Sequence, residues 1–142
     1  MSAGQEAPEF SAVDLKGVPV NSSDFFGHLT ALLFVSPDCA SCKSILEDDM
    51  GYLNYKAGNN VILICRAGQQ ACRELAEQYE LKLPVIVDED HQLSDLYRIA
   101  GVPMAVLINS DGRIQSYGQP HCQELAEAFQ QEESRVTVQE VA

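Results

Sequence analysis

Residues 31–43 read Ala31-Leu32-Leu33-Phe34-Val35-Ser36-Pro37-Asp38-Cys39-Ala40-Ser41-Cys42-Lys43. Five consecutive apolar residues, sharply bounded, fit a buried strand better than a helix. Pro37 has no N–H to continue a ladder, and Asp38 favours a turn or a helix cap, so the run ends there. A helical pattern follows, with Cys42, Ile45 and Leu46 recurring at three- and four-residue steps. Cys39 and Cys42 therefore stand where a buried strand meets a helix N-terminus. Unpaired N–H groups and the positive end of the helix dipole stabilise a thiolate on the first cysteine. The second thiol comes nearly one turn later, within reach of an intramolecular disulfide. The stretch points to dithiol/disulfide redox chemistry.

Outward from it, the chain alternates strands and helices. Ser11–Leu15 and Val18–Val20 flank a Lys16-Gly17 turn and predict a small N-terminal hairpin. After the helix from Ser41 to about Lys56, stopped at Gly58-Asn59-Asn60, Val61–Cys65 predicts a second strand, apolar on every residue as strands covered on both faces are. Gln69–Tyr79 places Cys72, Leu75, Ala76 and Tyr79 on one helical stripe. Leu83–Val87 predicts a third strand, Asp88-Glu89-Asp90 a turn, and Leu93, Leu96 and Tyr97 a short helix. Met104–Ile108 and Arg113–Tyr117 flank the turn Asn109-Ser110-Asp111-Gly112, the clearest hairpin in the chain. A last amphipathic helix is expected over His121–Glu133, then a tail over 134–142. The order predicts an α/β fold, one domain over residues 1–133, with a central mixed sheet and helices on both faces.

The 142 residues hold 46% apolar and 21% charged residues, an ordinary globular composition. A net charge of −12 argues against nucleic acid and against an anionic membrane surface as partner. No apolar run reaches membrane-spanning length, and the first residues carry no charged-then-apolar signal. Whether an N-terminal anchor was removed stays open. Five cysteines are an odd number, so they cannot all pair within the chain.

With Cys-x-x-Cys after the first long strand and Gly101-Val102-Pro103 before a later one, the chain resembles the thioredoxin superfamily. Gly4-x-x-Ala7-Pro8-x-Phe10 and Asp111-Gly112-Arg113-Ile114 are similar to its TlpA-like branch, extracytoplasmic thiol-disulfide oxidoreductases related in sequence to peroxiredoxins. Within the branch, Phe34–Lys43 is similar to the accessory proteins of methylamine dehydrogenase maturation. The resemblance implies Cys39 as nucleophile and Cys42 as resolving thiol. It implies a cis peptide bond at Val102–Pro103, in a loop that packs beside the sulfurs and pairs with the substrate backbone. Pro37, Asp38 and Lys43 are the supporting neighbours. It implies no cofactor beyond the Cys39–Cys42 disulfide and no metal. The implied partners are a protein thiol or disulfide client and a second redox protein. The implied location is the bacterial periplasm or cell-envelope face, with the cytoplasm as the alternative.

Three positions depart from the pattern. Asp38 replaces the usual tryptophan before the first cysteine, and its charge opposes a thiolate there, against the helix dipole and Lys43. The acids that help deprotonate the second cysteine in relatives would fall at Leu33 and Ile45, both apolar. A proton acceptor for Cys42 is therefore missing, which weighs against fast reductase kinetics.

Other signals take plainer readings. Cys65 and Cys72 read as buried free thiols at a strand end and on an inner helical stripe; the sharper alternative is a second disulfide or relay pair. A zinc site would need both pairs, and six residues between Cys65 and Cys72 do not suit it. Cys122 reads as an incidental thiol, and His28 and His91 as surface residues. Two rival functions remain beside the oxidoreductase. One is a thioredoxin-fold scaffold or metal-delivery module. The other is a peroxidase, whose Pro-x-x-x-Ser-x-x-Cys pattern Pro37 and Ser41 begin but Ser44 breaks.

Overall fold

A computed structural model describes residues 3–25, 27–55 and 61–119. The turn expected at 58–60, the helix expected over 121–133, Cys122 and the tail over 134–142 lie outside the described residues, as does the domain boundary at 133.

The elements run β1 (Ser11–Val13), β2 (Pro19–Asn21), α1 (Ser22–Phe25), β3 (Thr30–Val35), α2 (Ala40–Tyr55), β4 (Val61–Cys65), α3 (Gln69–Gln78), β5 (Val85–Val87), α4 (Gln92–Leu96), β6 (Met104–Ile108) and β7 (Ile114–Gly118). β1 and β2 form the expected antiparallel hairpin. The other five strands form one sheet in the order β5-β4-β3-β6-β7. β3, β4 and β5 are parallel, and β6 and β7 are antiparallel to their neighbours. β5 is shorter than the sequence pattern predicts because Leu83 and Pro84 precede the ladder; Pro84 contributes only its carbonyl, to the Leu63 N–H.

The unbroken apolar runs are explained by cover on both faces. Ala31, Leu33 and Val35 of β3, Val61, Leu63 and Cys65 of β4, and Ala105 and Leu107 of β6 point into one buried cluster, which α2 and α3 close with Cys42, Leu46, Cys72 and Leu75. The alternate residues Leu32, Phe34, Ile62, Ile64, Val106 and Ile108 point into a second cluster. Leu93 and Tyr97, in and just after α4, close it together with Ala7, Phe10 and Val20.

The N-terminal segment guards both sheet edges. Its residues Gly4 to Ala7 bond to Gly112 and Ile114 beside β7, and Leu15 donates its N–H to Val85 of β5 at 3.0 Å. Between those points it crosses the second face, where the Tyr97 hydroxyl donates to the Pro8 carbonyl at 2.6 Å. Capping such edges removes rows of unpaired N–H and C=O groups. At the β6–β7 turn, Asn109 Oδ1 accepts the N–H groups of Asp111 at 3.0 Å and Arg113 at 3.1 Å, while Gly112 takes φ of 77°. A side chain there would be strained, so glycine is required.

Tyr97→Phe removes one part-buried hydrogen bond and leaves the Pro8 carbonyl to find another partner. The expected cost is about 1–3 kcal/mol in urea unfolding; an unchanged midpoint and slope would show that this tie does not hold the N-terminal segment.

Candidate active site

β3 ends its pairing at Val35, which faces Cys65 across the parallel ladder, and the Arg66 N–H closes on the Val35 carbonyl at 2.8 Å. Ser36, Pro37 and Asp38 then turn the chain. Asp38 donates its N–H to Ser36 Oγ at 3.4 Å, and Cys39 donates its own to the Ser36 carbonyl at 3.2 Å. α2 starts at Ala40, which leaves Cys39 at the cap position and Cys42 in the first turn.

The two thiols are together and differ in environment. Cys39 is half-buried, and the Cys42 N–H donates to its sulfur at 3.1 Å. The Cys39 sulfur also lies 3.7 Å from the Val102 carbonyl. The Val102–Pro103 bond is cis, and both residues are half-buried. Thus the chain brings Cys39, Cys42 and the Val102–Pro103 loop to one place from positions over sixty residues apart. Of the supporting residues, Pro37 is half-buried, Asp38 is exposed, and Lys43 is exposed with its backbone N–H on the Cys39 carbonyl at 3.1 Å.

Cys42 is fully buried, and burial pushes its thiol up from 9.0 to about 12. The hydrogen bond with the Cys39 side chain adds to the rise, and the Ser36 backbone pulls the other way. The two positions where relatives would carry an acid are apolar here. Leu33 is buried in the cluster beneath Cys42, and Ile45 is half-buried one turn further along α2. Neither can take a proton. Since the folded value lies above the unfolded one, Cys42 stabilises the fold as a neutral thiol below pH 9.0, and that contribution is lost as pH rises towards 12.

The reading of Cys65 and Cys72 as free thiols needs correction. They form a disulfide, with Cα atoms 6.0 Å apart across the β4–α3 joint. A strand-end cysteine and another on the inner face of the next helix meet whenever the joint is short, and here Arg66, Ala67 and Gly68 make the whole connection. The spacing of seven residues carries no motif, so only the alternative of a second pair anticipated the bond.

Two further groups near the joint were not singled out as site residues. Arg66 reaches His91 Nδ1 at 3.3 Å and buries its Nε without a partner. Asp88, expected only as a turn residue, is buried and accepts the N–H groups of Leu93 and Ser94 and the Ser94 hydroxyl, so it caps α4. Among the described residues no group of three or more His, Cys, Asp or Glu could hold a metal ion.

The AhpC/TSA family model matches residues 3–117. The thiol-disulfide oxidoreductase ResA of Bacillus thuringiensis subsp. konkukian is 31% identical over 121 residues, which is 80% of this chain and 68% of ResA. Peroxiredoxin Bcp of Escherichia coli is 30% identical over 131 residues, 81% of this chain and 83% of Bcp. In fold, the chain is similar to the thioredoxin domain of a thiol-disulfide oxidoreductase from Bacteroides vulgatus, with TM-score 0.77 at 20% identity over 91% of this chain and 98% of that domain.

In the dithiol form, iodoacetamide near pH 8 is expected to alkylate Cys39 and spare Cys42, which is buried and protonated. Peptide mapping reads the result; equal labelling of both would contradict the assigned environments.

Proposed function

This chain belongs to the AhpC/TSA family, and from that membership we propose that its thiol-disulfide oxidoreductase activity runs through Cys39 and Cys42. The observation that carries the assignment is the contrast within the pair: a half-exposed sulfur receiving an N–H at 3.1 Å, and beneath it a thiol with no access to solvent. The Cys39 thiolate attacks a client disulfide, one client sulfur leaves and takes up a proton, and a mixed disulfide holds the two proteins together. Cys42, on losing its proton, attacks the Cys39 sulfur, closes Cys39–Cys42 and releases the client as a dithiol. Run backwards, the same steps oxidise a client dithiol. The buried Cys42 surrenders its proton reluctantly, which slows resolution of the mixed disulfide.

The Val102 carbonyl and the cis bond to Pro103 offer backbone beside the Cys39 sulfur, a suitable ledge for an extended client segment. The client is a protein thiol or disulfide, and a second redox protein resets the pair. The expected compartment is the cell envelope. Its support is the Cys65–Cys72 disulfide, since such bonds persist where thiols are not held reduced. No described helix is long and apolar enough to cross a membrane.

The likeness to Bcp favours a peroxidase as second reading. Against it, the pattern that begins at Pro37 would put its reactive cysteine at position 44, where an exposed Ser44 stands. Peroxide consumption that vanishes in Cys39→Ser would restore it.

Insulin reduction by dithiothreitol is the direct test. The chain should accelerate it, Cys39→Ser should lower the acceleration by about 10²-fold or more, and Cys42→Ser should accumulate a mixed disulfide on Cys39. Equal rates with wild type and Cys39→Ser would leave a thioredoxin-fold scaffold instead of a catalyst.

A further inference from the structure

Two cysteine pairs occupy neighbouring strand-to-helix joints. Cys39 and Cys42 bracket the start of α2 after β3, and Cys65 and Cys72 bracket the start of α3 after β4. The two strands are parallel neighbours with Val35 opposite Cys65, so the two joints leave the same end of the sheet from adjacent strands. Cys42, Cys65 and Cys72 belong to one buried cluster, and Cys39 packs against it. The first pair is a dithiol and the second a disulfide.

We propose that Cys65–Cys72 is a second, internal redox couple that exchanges electrons with the Cys39–Cys42 pair. It rests on the reading of Cys39 and Cys42 as the reactive pair. A thiolate of the first pair attacks the Cys65–Cys72 bond, forms a disulfide between the pairs and releases the other sulfur as a thiolate. The remaining thiol of the first pair, on deprotonation, attacks its own partner in that bridge, closes Cys39–Cys42 and releases the second sulfur. Two electrons move inward, and the two protons of the first dithiol end on Cys65 and Cys72. The regenerated Cys39–Cys42 disulfide is then ready to oxidise a client dithiol.

Two features fit a couple that cycles. Cys65 and Cys72 are both 0% exposed, so no protein thiol can dock on their sulfurs, and the route inward runs through the first pair. The reduced form also finds partners in place. The Cys72 sulfur lies 3.6 Å from the Cys65 carbonyl and 3.5 Å from that of Ala67. A disulfide sulfur has no hydrogen to give, so these are bare contacts now; on reduction, either carbonyl accepts the new S–H. Cys65 keeps its carbonyl bonded to the Asp88 N–H at 2.8 Å, an anchor that does not involve the sulfur.

The test uses the full chain carrying Cys122→Ser, so that the fifth thiol cannot reshuffle. Excess dithiothreitol is added without denaturant, samples are quenched in acid at intervals, and alkylated cysteines are mapped by mass. Cys65 and Cys72 should open after Cys39 and Cys42, and at least about tenfold more slowly when the first pair is replaced by Cys39→Ser/Cys42→Ser. Should that variant not fold, prior alkylation of Cys39 in Cys42→Ser blocks the same route. Equal opening rates with and without the first pair would overturn the proposal, and so would a Cys65–Cys72 bond that never opens in the native chain, which marks a static clamp. Insulin reduction measured alongside separates the failures: activity with a static inner bond refutes only the exchange, and no activity in wild type refutes the reading beneath it.

Discussion

β3 is hydrogen-bonded on both sides, to β4 and to β6, and both its faces are buried. That double cover determines where the reactive chemistry can be. Along the ladder residues 31–34 are paired on both sides, and no side chain of the strand reaches solvent. At Val35 the pairing ends, and the next three residues, Ser36, Pro37 and Asp38, carry the chain out of the sheet before α2 restores backbone bonding. Cys39 stands in that gap, where its half-buried sulfur accepts the Cys42 N–H of the first helical turn. β6, on the other side of β3, starts immediately after Pro103, so the same end of the sheet brings the Val102 carbonyl to the Cys39 sulfur.

Burial then divides the labour between two chemically identical thiols. Three residues of helix carry the chain from a half-exposed sulfur to one inside the cluster, and the difference in hydration pushes Cys42 to about 12. An acid under the pair would relieve this by accepting the proton, but Leu33, buried in the cluster that holds Cys42, and Ile45, half-buried in α2, are both apolar. The gain is packing: Leu33 is part of the cluster that binds α2 to the sheet. The consequence is a second thiol that stays protonated at neutral pH.

The neighbouring joint repeats the arrangement with a different outcome. β4 also ends in a short turn and a helix, but there the strand's last residue is itself a cysteine, and its partner lies inside the next helix. Both sulfurs face the cluster, so the pair is sealed where the first is open. Around that sealed joint, Arg66 and Asp88 make local polar bonds that hold the turn and the start of α4.

Much of this was legible from residue order alone, because it depends on near neighbours. The apolar runs of β3 and β4, the break at Pro37, the asparagine–glycine turn before β7 and the Cys-x-x-Cys spacing are local facts, and local sterics and hydrogen bonding dictate what they become. The Val102–Pro103 cis bond was reached by resemblance, and the structure has it. Tertiary structure alone decided the rest. It paired Cys65 with Cys72, laid Pro8 under the Tyr97 hydroxyl and buried Asp88 as a cap. Each is a distance between groups whose separation along the chain says nothing of their separation in space. Such distances exist only once the strands have taken their order and both faces of the sheet are covered.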